Sequence, residues 1–180
     1  MRGLISTFTG SLALGIVALG VAAPGLSVSA FAQAGPKATK IGQHSAWGTY
    51  SFSQDNTKVC YVLTVPTEKQ PPSLNHGDMF FFVSQKPGQN VSYEPQFIAG
   101  YNFKEASKVT VSIGSKSFSM FTRGSSAWME NAAEEPALVA AMKGGTDMKV
   151  AATSGRGNPT SYVFSLKGIS AALDSISSCK

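Results

Sequence analysis

The chain has 180 residues, 43% of them hydrophobic and 14% charged, with fifteen Lys or Arg against ten Asp or Glu. That balance excludes a largely disordered chain, and no internal period marks a repeat array. The twelve lysines are scattered and never form a cluster of four, so no nucleic-acid face is expected, since such a face concentrates charge and interleaves aromatics.

In chain order, Met1-Arg2 is a short basic start, and residues 4–23 form an uncharged stretch rich in Leu, Ala, Val and Gly. Pro24-Gly25 interrupts it, and Ala32-Gln33-Ala34 supplies the small residues of a cleavage site. Residues 1–34 therefore read as a secretory signal peptide cut after Ala34, with Val28-Ser29-Ala30 as a second site. An uncleaved anchor is the rival reading, because the stretch is long enough to span a bilayer. The Pro-Gly break and the A-x-A site favour removal. No cysteine precedes Cys60, which excludes a lipid-modified N-terminal cysteine, and no transmembrane span is expected after cleavage. The product is placed in the periplasm or on the outer cell surface. Residues 35–180 keep fourteen bases and ten acids. A chain of that size buries roughly 70% of its unfolded surface, enough for one core, and a monomer is expected.

Residues 35–45 are small and polar and read as a flexible lead-in to a single domain over 46–180. Strands are predicted over 47–53 and 58–65, joined by Gln54-Asp55-Asn56-Thr57 as a hairpin turn. Residues 66–78, with Pro71-Pro72 and Asn75-His76-Gly77, read as a long polar loop. Phe80-Phe81-Phe82-Val83 has too many consecutive apolar residues for a strand wet on one side, so a central strand buried on both faces is predicted over 79–85. A turn at 86–90 leads to a strand over 91–99, where Pro95 suggests an edge or a bulge. Val109, Val111 and Ile113 alternate with polar residues, as do Phe118 and Met120 beyond Gly114-Ser115, which predicts a tight hairpin. Glu134, Glu135 and Pro136 open a helix that Gly144-Gly145 closes, with Leu138, Val139 and Met142 on its buried face. Strands follow over 147–153 and 161–166. Ile169, Leu173 and Ile176 have the spacing of a last short helix. The whole is mainly β, an antiparallel sandwich or barrel of about eight strands with one or two short helices.

A search for chemistry finds little. The chain has two histidines, His44 in the lead-in and His76 in the long loop. His76-x-Asp78 is a metal or base pair only in outline, since zinc sites need three or four ligands, and a plain loop histidine is the simpler reading. No G-x-S-x-G elbow, P-loop, dinucleotide fingerprint or H-E-x-x-H occurs. No catalytic residue, metal site or cofactor is expected. Adjacent Glu134 and Glu135 point about 100° apart on a helix and suit its dipole better than paired-acid catalysis. Asn90-Val91-Ser92 is a glycosylation triplet without a eukaryotic context. Cys60 and Cys179 are an even pair in an exported chain and read as a disulfide; neither lies in a C-x-x-C pair or beside a histidine that would activate a thiol. Trp128 is a candidate binding residue, although most tryptophans pack in or beside the core. Arg156, between Gly155 and Gly157, either presents its guanidinium to an anion or braces the turn through carbonyls.

An ordered series of residues adds a family resemblance. Trp47-Gly48-x-Tyr50, Val59-Cys60-Tyr61, Phe82-Val83 and Lys86-Pro87 open it. Gly100-Tyr101-x-Phe103-Lys104, Phe118-x-Met120-Phe121-Thr122 and Ala127-Trp128 continue it. Ser154-x-Arg156-Gly157, Ser165-Leu166-x-Gly168, Ala171-Ala172-Leu173 and Cys179 complete it. Across residues 45–180 the chain resembles the invasion associated locus B (IalB) family of alphaproteobacterial envelope proteins.

The resemblance implies an exported, mostly β domain without enzymatic activity, in a family whose founding members are linked to entry of Bartonella into red blood cells. It also implies a Cys60–Cys179 disulfide. One departure stands out: Tyr162 occupies a position where the family is expected to carry aspartate, which argues against a polar role there. The functional expectation is a non-enzymatic envelope protein that binds an envelope or host-surface component and contributes to host-cell interaction or invasion. The alternative is a periplasmic structural or stress-related factor with no host partner.

Overall fold

The computed structural model describes residues 37–54, 57–85, 93–177 and 179. The predicted signal peptide, residues 35–36 of the predicted lead-in, Asp55-Asn56 of the predicted first hairpin turn, the predicted turn at 86–90 and the Asn90 triplet lie outside the described residues. The strands are Thr39–His44 (β1), Trp47–Gln54 (β2), Thr57–Thr64 (β3), Glu68–Gln70 (β4), Phe80–Gln85 (β5) and Glu94–Ile98 (β6). Lys108–Ile113 (β7), Lys116–Arg123 (β8), Ser126–Met129 (β9), Asp147–Thr153 (β10) and Pro159–Ser165 (β11) follow. Two α-helices, Glu135–Gly144 (α1) and Ile169–Ile176 (α2), and a short 3-10 turn at Ala132–Glu134 complete the described fold.

Every strand predicted from the apolar pattern forms, and β1, β4 and β9 join them. All pairings are antiparallel, in the order β1-β2-β3-β5-β6-β9-β8-β7-β10-β11-β4. The fold is thus mainly β with two short helices, as expected, but it is one open sheet of eleven strands rather than a sandwich or barrel of about eight. The reason lies in β9. Its four residues pair with β6 on one side and β8 on the other, stitching two halves into a continuous sheet.

A sheet this wide twists and curls, and its inner face meets itself. Phe81 on β5 packs against Phe164 on β11 with ring centroids 5.9 Å apart. Phe97 on β6 meets Tyr162 and Phe164 at 5.6 and 6.1 Å. The buried Trp47 indole N–H donates to the Ser165 carbonyl at 3.0 Å, tying the start of β2 to the end of β11. Full burial of each such ring contributes roughly 1.5–3 kcal/mol by removing apolar surface from water. The helices fill the inner face: α2 lies against β1, β2 and β3, and α1 against β6 and α2. Leu138, Val139 and Met142 are buried on α1 and Ile169, Leu173 and Ile176 on α2, the faces their spacing predicts. Cys179, just beyond α2, is bonded to Cys60 on β3, with Cα atoms 6.0 Å apart.

Several local expectations need correction. The stretch read as a flexible lead-in contributes β1, whose residues are exposed or half-buried. An edge strand that buries no face carries no apolar period to announce it. Residues 66–78 include β4, three residues that pair with β11. The run at Phe80–Val83 is central, between β3 and β6, but not buried on both faces. Phe81 and Val83 face the core, while Phe80 and Phe82 are half-buried on the outer face and covered by each other and by Tyr61. Strand β6 is not an edge despite Pro95. Its pairing with β9 starts at Gln96, one residue later, so the missing N–H interrupts no bond on that side.

Candidate functional site

Three segments distant in sequence converge on one cleft: the loop around His76, residues 100–103, and the β10–β11 hairpin. Their approach depends on two glycines. A Cβ on Gly100 would lie 2.6 Å from the His76 carbonyl oxygen and 2.7 Å from Gly77 Cα. Gly77 itself has φ +63°, a conformation that disfavours other residues. Bare backbone at this crossing lets the two segments touch and carries His76 inward. Lys69 Nζ holds the loop by donating to the Gly77 carbonyl at 2.8 Å.

The second and third segments are joined by backbone bonds. Gly155 N–H donates to the Asn102 carbonyl at 2.7 Å, and Lys104 N–H to the Thr153 carbonyl at 2.9 Å. Ser154 organises the hairpin tip: its N–H donates to the Asn158 carbonyl at 2.9 Å, and its hydroxyl accepts from the Asn158 N–H at 3.1 Å.

The floor of the cleft is a hydrogen-bonded chain of side chains. The Pro71 carbonyl can only accept, so His76 Nε2–H donates to it at 2.9 Å. In the neutral ring Nδ1 then accepts from the Tyr162 hydroxyl, also at 2.9 Å. Tyr162 accepts from Tyr101 at 2.9 Å, and Tyr101 accepts from Thr160 at 2.6 Å. Thr160 shares its hydrogen with the Ala152 carbonyl, 3.2 Å away. His76 is 5% exposed and Tyr162 fully buried, so at these two residues the chain satisfies polar groups with little access to water. Burial pushes the Tyr162 phenol well above its ordinary pKa; the nearby Thr160 hydroxyl opposes this and Tyr101 adds to it.

Above this floor lies a cleft of about 480 Å³ lined by His76, Tyr101 and Thr160 and by Asn75, Asn102, Asn158 and Arg156. Arg156 is exposed at the hairpin tip. Among the described residues its guanidinium has no hydrogen bond or ion pair, and neither do the side-chain amides of Asn102 and Asn158. Bracing of the turn falls to Ser154 and the backbone instead. Trp128, the other candidate, is elsewhere. It is half-buried on the outer face of β9, stacked on Phe121 of β8 with centroids 5.7 Å apart. That face continues across β2, β3 and β5, with Tyr50 stacked on Tyr61 at 5.2 Å and Tyr61 tilted against Phe82 at 5.6 Å. The structure does not bring Arg156 and Trp128 into one site.

Sequence reasoning missed Tyr101, Thr160 and Tyr162 as a unit and took His76 for a plain loop histidine. Tyr162 was expected to lack a polar role; its hydroxyl is the link between His76 and Tyr101. His76 and Asp78 do not cooperate, since both ring nitrogens are already engaged and Asp78 is exposed. No group of three potential metal ligands occurs among the described residues. No described helix is long and apolar enough to cross a membrane. Chemically, the cleft offers unengaged amides and one guanidinium, which recognise polar and anionic groups, over a floor whose hydrogens are committed internally.

No curated protein sequence matches this chain. Among solved structures, it is similar to the crystal structure of invasion associated protein B from Bartonella henselae, with a TM-score of 0.57 at 16% identity. The match covers 75% of this chain and 92% of that one, and at such identity it speaks for the fold. The family model for the invasion associated locus B (IalB) protein matches residues 47–177, which hold β2 to β11, the cleft and both helices, and the chain belongs to that family.

Proposed function

We propose that the protein is a non-enzymatic, exported envelope protein that works by binding a component of the bacterial envelope or of a host surface, with the cleft as its contact site. The observation that carries this reading is the pairing of unengaged Arg156, Asn102 and Asn158 side chains with a floor whose polar groups are internally satisfied. A catalytic floor would present a base with a free lone pair, whereas both His76 nitrogens are occupied. Export rests on the signal peptide over 1–34 and accords with the disulfide, which persists in an oxidising compartment.

The test is location. Protease treatment of intact cells is compared with osmotic-shock release, using an antibody to the β domain. Digestion on intact cells is expected if contact with a host or external surface is the role. Protection in intact cells with release by shock would confine the protein to the periplasm and favour an envelope-support role without a host partner. Turnover of peptidoglycan or peptides by the purified protein, lost on changing His76, would overturn the non-enzymatic reading.

A further inference from the structure

We infer that the cleft binds a carboxylated sugar unit, its carboxylate on Arg156 and its hydroxyls on the surrounding asparagines; the inference rests on the binding reading above. The lining of the cleft and the state of its polar groups lead to it. The cleft measures about 480 Å³ and holds one cationic side chain at its hairpin rim. A guanidinium with no partner presents a planar fork that matches a carboxylate through two parallel hydrogen bonds.

The two glycine N–H groups that flank Arg156 do not add to the charge recognition. Gly155 N–H is taken by the Asn102 carbonyl and Gly157 N–H by the Ser154 carbonyl, at 2.7 Å each. A phosphate or sulfate dianion, which backbone nests and several cations normally hold, would be left half-compensated. One carboxylate is what one guanidinium neutralises.

The rest of the lining reads hydroxyls. Asn102 and Asn158 each carry an unengaged amide that both donates and accepts, and Asn75, whose Oδ1 accepts from the Gly77 N–H at 3.1 Å, adds a side-chain NH2 group. A sugar hydroxyl also donates and accepts, so amides match it where a charged group would match only half. The Tyr101 hydroxyl, already bonded to Thr160 and Tyr162, is half-buried at the floor and offers a further fixed oxygen. Leu74 is a lone large aliphatic side chain in the lining, which argues against a lipid or an apolar peptide side chain.

Carboxylated sugars occur both as uronates of bacterial polysaccharide and as sialic acids of host glycans, and the test separates them. Glucuronate-containing oligosaccharide and sialyllactose are titrated into the disulfide-bonded exported protein by calorimetry, with lactose as the uncharged control. One acid is expected to bind and lactose not to; whichever acid binds names the source. Arg156→Gln is expected to weaken that affinity by about tenfold or more, the usual consequence of losing a charge-assisted bond. Asn158→Ala is expected to weaken it less, with thermal stability unchanged in both variants.

A second arm measures sedimentation of the same proteins with cell-envelope fragments and with red-cell membranes. If the wild type sediments but neither acid binds or competes, the sugar assignment is wrong while the binding reading stands. If the wild type neither sediments nor binds either acid, both fail. Equal affinity of Arg156→Gln and wild type for an acid would overturn the role of Arg156.

Discussion

Replacing Tyr162 by phenylalanine removes one oxygen and tests whether the buried chain beneath the cleft holds the fold. Tyr162 is fully buried, and its hydroxyl lies 2.9 Å from both His76 Nδ1 and the Tyr101 hydroxyl. Loss of the oxygen leaves His76 Nδ1 without its donor, on a residue only 5% exposed. Tyr101 suffers less, because it keeps Thr160 at 2.6 Å and borders the open cleft. The balance is therefore one buried orphan acceptor, set against the gain from no longer desolvating a hydroxyl. An unsatisfied buried group costs about 1–3 kcal/mol, more than an intact hydrogen bond contributes net. Taking a central 2 kcal/mol, the melting temperature of a domain this size falls by roughly 4–8 °C. Urea denaturation should show a lower midpoint with an unchanged slope. The nitrogen resonances of the His76 ring should shift as Nδ1 loses its donor. In a double-mutant cycle, Tyr101→Phe and Tyr162→Phe should couple rather than add, since they share one bond. A Tyr162→Phe loss under about 0.5 kcal/mol, the scale of ordinary surface changes, would refute the account of the floor as a stabilising network.

The Cys60–Cys179 bond closes a separation of 119 residues. Serine at both positions should cost about 5 kcal/mol on the chain-entropy account, visible as a lower urea midpoint, while alkylation of the unreduced protein should label no thiol. Burial raises the phenol pKa of Tyr162, and burial together with nearby Tyr50 raises that of Tyr61, each from an ordinary 10.0. The folded state then keeps protons that the unfolded chain releases, so stability is full below pH ~10 and falls as pH rises beyond it. Melting curves between neutral and strongly alkaline pH should show that fall, shallower in Tyr162→Phe; equal slopes would exclude Tyr162 as a source. Gly100→Ala puts a methyl group against the backbone of His76, Gly77 and Asp78. It should destabilise by about 1–3 kcal/mol, as overpacking does, and perturb the Tyr101 and His76 resonances together.

Local pattern was legible wherever an element buries one face. Period-2 alternation in β7, β8 and β10 and the spacing of Ile169, Leu173 and Ile176 in α2 mark core-facing positions directly, because side-chain direction follows from backbone geometry alone. The cysteine pair was legible too, since only two candidates exist. The short strands were not. Strand β1 is exposed, β4 has three residues and β9 four, too few for any period to declare itself.

The sequence by itself determined the strand-rich class, one or two short helices, the disulfide partners and an arginine set between two glycines in a turn. Only the tertiary structure decided that β9 bridges β6 and β8 into one sheet, and that His76 is buried. The same is true of Tyr162, whose hydroxyl meets a partner 86 residues away. The physical reason is range: propensity and periodicity act over a few residues, whereas the cleft is assembled by the crossing of Gly77 and Gly100 and by hydrogen bonds that no local pattern encodes.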